Sequence, residues 1–297
     1  MTAPSPSGPV TIPSLGNGVS KPISEEDTRH LLESVRAIAL PDCGADCFVD
    51  WMGIRTRISM LPWAPIELAG TTSTALPIPD DAYRSEASEY AALALATNRA
   101  VDTLCIVEVG AGWAPWVVAG LVVAGREGLR GRGIAIEAHL EHAKWAITHA
   151  YDNGIEAELI TGTPTQIIDA LRVSATEMQV IHAAGWIEKT YMSFPDVAAE
   201  DMRIDLLHVD VQGVEFELTS RVADSIQSHA VTMAIGTHSR LAEGQLQQFF
   251  LERGWGLRID EPCTAVFTMT HPTLAGFTVQ DGLQLYENPF LLHHVKN

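Results

Sequence analysis

Residues able to move a proton or hold a cation gather at a few points of the 297-residue chain. The run Asp205-Leu-Leu-His-Val-Asp210-Val-Gln-Gly-Val-Glu215 carries three of them, and His238 follows Ile235-Gly236-Thr237 further on. An imidazole of ordinary pKa, about 6.5, suits a general base, and a neighbouring carboxylate suits a partner or an acceptor of a substrate hydroxyl. His238 with Asp210 is therefore the expected catalytic pair, while His208 reads as a core histidine bonded to a backbone group. Glu215 falls in the first turn of a helix, where the dipole favours an acid whether or not it has chemistry to do. A divalent metal is not expected from the spacing; were one present, Asp210, Glu215 and His238 would hold it.

A second group is the turn Glu108-Val-Gly110-Ala-Gly112-Trp113-Ala-Pro115. Glycine at 110 and 112 lets a backbone turn sharply and approach a cofactor, and a helix follows whose free amides face the ligand. The dinucleotide pattern G-x-G-x-x-G fails at its third glycine, where Pro115 stands. Glu108, two residues before the first glycine, would repel a pyrophosphate but suits a ligand with an amino group and a sulfonium, as in S-adenosylmethionine. Glu137, ending the next apolar run, is placed to accept from ribose hydroxyls. The Trp113 face near a sulfonium would be attractive on cation–π grounds, and Trp116 reads as packing. His139 and His142, three apart, read as helix surface or a ribose-side contact at His139.

These residues need strand ends to stand on. Leu104–Val109, Gly133–Glu137, Glu158–Thr161, Val180–Ala183, Ile204–Asp210 and Val231–Gly236 read as strands, alternating with helices near Pro115–Ala124, His139–Asp152, Thr165–Arg172, Val214–Ser228 and Ala242–Arg253. This is the pattern of an α/β protein with a parallel sheet and helices on both faces, in which ligands bind beyond the carboxyl ends of the strands. Gly256–Thr270 and Thr278–Tyr286 read as two strands closing one edge. Ahead of this domain (residues 101–297) lie a Pro/Ser/Gly-rich tail (1–22) and an α+β annex (23–100), with a helix over Glu25–Leu40, strand character in Phe48–Leu61 and a helix over Tyr83–Ala100.

A formal net charge of −18 and the lack of any basic run argue against a nucleic-acid or anionic-membrane partner and favour a neutral acceptor. The four cysteines read as reduced thiols, and the apolar stretch Trp116–Ala124 is too short to span a bilayer, so a cytoplasmic protein is expected. A homo-oligomer is left open.

The ordered runs VEVGAGWAPW, IAIEAHLEHAKWAITHAYDNGI, VIHAAGW, IDLLHVDVQGVEFEL and AIGTHSRLAEGQLQQFFLERGWGL resemble the FkbM family of S-adenosylmethionine-dependent methyltransferases, from about Thr103 to Leu257. The closing DGLQLYENPF is similar to the end of a subset of that family. The resemblance implies a Rossmann-like methyltransferase fold and O-methylation of a saccharide or polyketide-type hydroxyl. It also implies cofactor contacts from Glu108, Gly110, Gly112 and Glu137, with Ala183 near adenine. The segment Glu156–Met178 is longer than the family's usual spacer, and the first hundred residues lie outside the match. The alternatives are an NAD(P)-dependent oxidoreductase, disfavoured by Glu108 and Pro115, and a non-catalytic protein that keeps the fold.

Overall fold

A computed structural model of the chain describes residues 21–183, 202–270 and 277–292. Helix α1 (Glu25–Ser34) starts at Ser24, whose hydroxyl accepts from the Asp27 amide while Asp27 reaches back to the Ser24 amide. It ends six residues before the expected Leu40, because Ala37 donates to the Trp51 carbonyl and Arg126 takes the Val35 carbonyl, at 3.1 and 2.5 Å. Strands β1 (Cys47–Val49), β2 (Arg55–Arg57) and β3 (Thr71–Thr72) form a small sheet, and α2 (Ala87–Arg99) leads into the main sheet.

The main sheet alternates as expected: β4 (Thr103–Val109), α3 (Pro115–Arg126), β5 (Arg130–Glu137), α4 (Leu140–Asp152), β6 (Ala157–Ile160), α5 (Pro164–Val173), β7 (Met178–His182) and β8 (Ile204–Val209). Then follow α6 (Glu215–Arg221), α7 (Ala223–His229), β9 (Ala230–Thr237), α8 (Arg240–Glu252), β10 (Gly256–Glu261), β11 (Thr264–Val266), β12 (Phe277–Gln280), β13 (Gly282–Glu287) and α9 (Pro289–Leu292). The helix expected over Val214–Ser228 is two helices, since Val222 leaves helical geometry at φ −108, ψ 19 and buries its side chain in the core. The strand expected over Gly256–Thr270 breaks at Pro262, which has no amide to donate.

Strand order is β10-β13-β9-β8-β4-β5-β7-β6, with β13 antiparallel to both neighbours and the remaining pairings parallel. This parallel sheet, with an antiparallel strand in its closing edge, is the Rossmann-like methyltransferase arrangement. The long segment before β7 folds outward to supply the edge strand β6 and helix α5. Side chains along β4 sort strictly by parity: Leu104 and Ile106 pack with α1–α4, and Cys105, Val107 and Val109 pack with α5–α8. Leu31, Trp51 and Tyr90 share the first of these cores with the sheet, so the annex helices are part of its cover. No helix among the described residues is long and apolar enough to cross a membrane. The tail through residue 20, the end of the VIHAAGW run and His293-His294 lie outside the described residues.

Candidate active site

The chain order reverses between β4 and β8, and open α/β sheets bind ligands at such a switch point. The turn after β4 fills one side of it. Gly110 has φ +77, and a Cβ there would stand 1.7 Å from the Asp210 carbonyl oxygen, so only glycine fits. The Gly110 and Ala111 amides donate to the Ile136 carbonyl at 2.9 and 3.1 Å. The Glu137 carboxylate accepts from the Gly112 amide at 2.8 Å and the His139 amide at 2.7 Å, clamping the turn to the end of β5. Glu108 is buried and accepts from the Val117 amide in the first turn of α3 at 3.0 Å; burial pushes its carboxyl well up. His149, whose pKa burial pushes down to about 4, is a neutral ring whose Nδ1–H donates to the Trp113 carbonyl at 3.0 Å.

Across the cleft, the Asp210 amide donates to the Val109 carbonyl at 2.9 Å, and the backbone then turns through positive φ at Gln212 and Gly213. That turn sets Glu215 at the start of α6, fully buried, with Oε1 accepting from the Gly213 amide at 2.6 Å. The same oxygen lies 2.7 Å from His238 Nδ1, and His238 Nε2 is 3.4 Å from one oxygen each of Asp210 and Asp281. Burial works against a charged ring here, yet Asp281 beside it, the bond to Glu215 and the Asp210 charge hold the His238 pKa up to about 10. His238 and Asp210, the expected catalytic pair, stand 3.4 Å apart, and the carboxylates around the ring favour its charged form. Asp210 is raised from the usual carboxylate range by burial, against the pull of His238 and His208.

The annex supplies the third wall. A cavity of about 550 Å³ lies over the carboxyl ends of β4 and β8. Glu108, Gly110, Gly112, Trp113 and Asp210 line it, together with Trp63, Tyr83, Glu86, Glu89, His208 and Asp281. Trp63 and Trp113 face each other at 5.8 Å between ring centres, and the buried Trp113 Nε1 has no hydrogen-bond partner. Trp116 is buried edge-on against Tyr90 at 5.1 Å, as packing requires. His208 Nε2 meets Glu89 Oε1 at 2.9 Å rather than a backbone group. Burial lowers His208 to about 4 and raises Glu89 well up, so the two form a neutral pair tying α2 to β8.

Of the singled-out residues, Glu108, Gly110, Gly112, Trp113 and Asp210 line the cavity; His238 and Glu215 stand behind Asp210, and Ala183, just past β7, donates its amide to the Glu137 carbonyl at 2.8 Å, outside the lining. Glu137 also stands outside that lining, behind the turn it clamps. Asp281, Glu86, Glu89 and Trp63 join the site from outside the motifs of the sequence. Asp281-Gly282 was the readable signal among them, a turn pair opening the final strand.

No family model matches the chain. A protein of Jannaschia sp. (strain CCS1) that carries a provisional methyltransferase name is 29% identical over 267 residues, covering 83% of this chain and 94% of that protein. Among solved structures, precorrin-6y C5,15-methyltransferase from Geobacter metallireducens GS-15 overlaps 65% of this chain and 84% of its own, at 12% identity and a TM-score of 0.41. Ribosomal protein L11 methylase from Lactobacillus delbrueckii subsp. bulgaricus overlaps 68% and 80%, at 16% identity and a TM-score of 0.38. The chain has the Rossmann-like methyltransferase topology, and the relative that spans most of both sequences supports a methyltransferase.

Proposed function

We propose that the protein transfers a methyl group from S-adenosylmethionine to a hydroxyl of a saccharide, or of a glycosylated or polyketide-type natural product, as its resemblance to the FkbM family implies. The observation that carries this reading is the meeting of the Gly110–Gly112 turn, Asp210 and an acid- and aromatic-lined cavity at the switch point of the sheet. Glu108, Gly110 and Gly112 line the side of the cavity where such a cofactor would sit, with the ring of Trp113 beside them. The faces of Trp63, Tyr83 and Trp113 suit the C–H faces of a sugar ring, while Glu86 and Glu89 can hydrogen-bond its hydroxyls.

When bound, the cofactor supplies a methyl carbon on a positively charged sulfur; a carbon–oxygen bond forms as a carbon–sulfur bond breaks. The chain's own work is alignment and proton removal. Asp210 takes the hydroxyl proton, and burial makes its carboxylate a stronger base than an exposed one. Glu215 and His238 act as positioning residues that fix Asp210, and Gly236 on β9 leaves room for it, since a Cβ there would already be 3.4 Å from its carboxyl carbon.

Calorimetric titration with S-adenosylmethionine and S-adenosylhomocysteine, with NADH and NADPH as controls, tests the cofactor. One-site binding of the sulfur nucleotides alone is expected; binding of the nicotinamide nucleotides instead, or of none, overturns the reading. A panel of saccharides and glycosides, screened by mass spectrometry for a single added methyl group, then tests the acceptor.

A further inference from the structure

We propose that Asp210, Glu215 and His238, with Asp281 beside them, form a binding site for one divalent cation of the Mn²⁺ type at the edge of the cavity. One oxygen from each of the first two and a ring nitrogen of the third lie within 4.8 Å of one another. Ligand bonds of about 2.0–2.6 Å put opposite donors about 4–5 Å apart, so the triangle needs little contraction to close on an ion. Each donor stands at the end of a different element. Asp210 follows β8, Glu215 opens α6, His238 follows β9, and Asp281 sits between β12 and β13. Packed elements hold the set, as a metal site requires.

The burial of this cluster points to a missing cation. Glu215 is fully buried, and its Oε2 has no hydrogen-bond partner. His238 is 10% exposed, and its Nε2 likewise has no properly formed hydrogen bond, with carboxylate oxygens of Asp210 and Asp281 only within 3.4 Å. A buried carboxylate oxygen left unpaired is costly, and three carboxylates around one imidazole carry excess negative charge. An ion on His238 Nε2, between Asp210 and Asp281, would satisfy that nitrogen and bring positive charge toward Glu215, whose Oε1 holds Nδ1 from the other side of the ring. Asp210 and Asp281 are 34% and 55% exposed, which leaves the cavity side open for water or a substrate oxygen. Carboxylates suit Mg²⁺, Ca²⁺ and Mn²⁺, and the imidazole shifts the preference toward Mn²⁺.

The site itself does not depend on the proposed reaction, but its use does: an ion here would bind the acceptor hydroxyl beside Asp210 and make its proton easier to remove. The test is titration of chelator-treated, full-length protein with Mn²⁺ alone, following the free-ion paramagnetic resonance signal. One Mn²⁺ per chain is expected, bound more tightly than Mg²⁺ or Ca²⁺. Affinity should fall by about 100-fold or more in Glu215→Gln and His238→Ala, and by about 10-fold in the more exposed Asp281→Asn, which spares the buried cluster. Absence of saturable binding by the folded wild-type protein, or equal affinity in wild type and Asp281→Asn, overturns the site. S-adenosylmethionine binding without Mn²⁺ binding would sink this inference alone. Mn²⁺ binding without S-adenosylmethionine binding would keep the site and remove its place in methyl transfer.

Discussion

The turn after β4 and the corner after β8 face each other across one cleft, the first held by backbone amides and the second by side chains. Gly110, Ala111 and Gly112 all give their amides to the end of β5, and Glu137 and His149 complete a shell in which each bond is neutral or made by a carboxylate to an N–H. In the corner, four side chains from four elements share hydrogen bonds too few for their charge, and two buried atoms go without. Burial dominates in the first region and makes His149 neutral; carboxylates dominate in the second and keep His238 charged. The backbone of the first region is fully held by its own bonds, and the second leaves two buried side-chain atoms open.

The largest effect that would break this contrast is in the turn. Gly110→Val drives a side chain into the Asp210 carbonyl and should abolish S-adenosylmethionine binding in calorimetry. Gly112→Ala meets no atom within 4 Å and should cost only the left-handed backbone penalty, about 1–2 kcal/mol by urea unfolding. Equal effects of the two would mean that close approach at 110 is irrelevant. Next in size, Asp210→Asn should lower turnover by about 10²-fold or more while changing cofactor affinity little, since its contribution is to the proton and not to the turn. Unchanged turnover removes Asp210 from the chemistry.

A smaller effect separates the two regions by pH. His149 has a folded pKa of about 4, below the value of about 6.5 expected when unfolded, so the unfolded chain takes the proton first. Its stabilisation is complete above pH 6.5 and is lost as pH falls toward 4. Between pH 7 and 5 the wild type should lose about 2 kcal/mol more unfolding free energy than His149→Gln. Parallel curves would show that the ring is not held neutral. The smallest effect is expected at Trp113→Leu, about 1 kcal/mol or less in cofactor affinity if the indole face meets a sulfonium.

The same contrast explains what could be read in the sequence. The β4 turn was legible because Glu108 to Pro115 is contiguous, and glycine spacing declares its geometry. Asp210 and His238 were legible as residues just past apolar runs. The charge on His238 was not, because it depends on Asp281, which β13 brings from 43 positions further along the chain. Glu89 and Trp63 escaped for a related reason: an alanine-rich helix and a proline-studded loop carry no sign of which cavity they will line. The break at Val222 was hidden because its apolar periodicity continues straight through it.

The reversed strand β13 also has a bearing on when the protein comes to be competent during its manufacture. It lies between β9 and β10, and its buried Glu287 is the common counter-ion of Arg99, at the end of α2, and Arg258, on β10. Until that strand has emerged from the ribosome, β9 is an open edge, two arginines lack their acid, and Asp281 has not reached the cleft. A nascent chain that has already folded its β4–β8 half therefore has a nucleotide-sized turn but no finished reaction corner. On the proposed function, methyl transfer waits on β13, which completes the corner after the cofactor turn has formed.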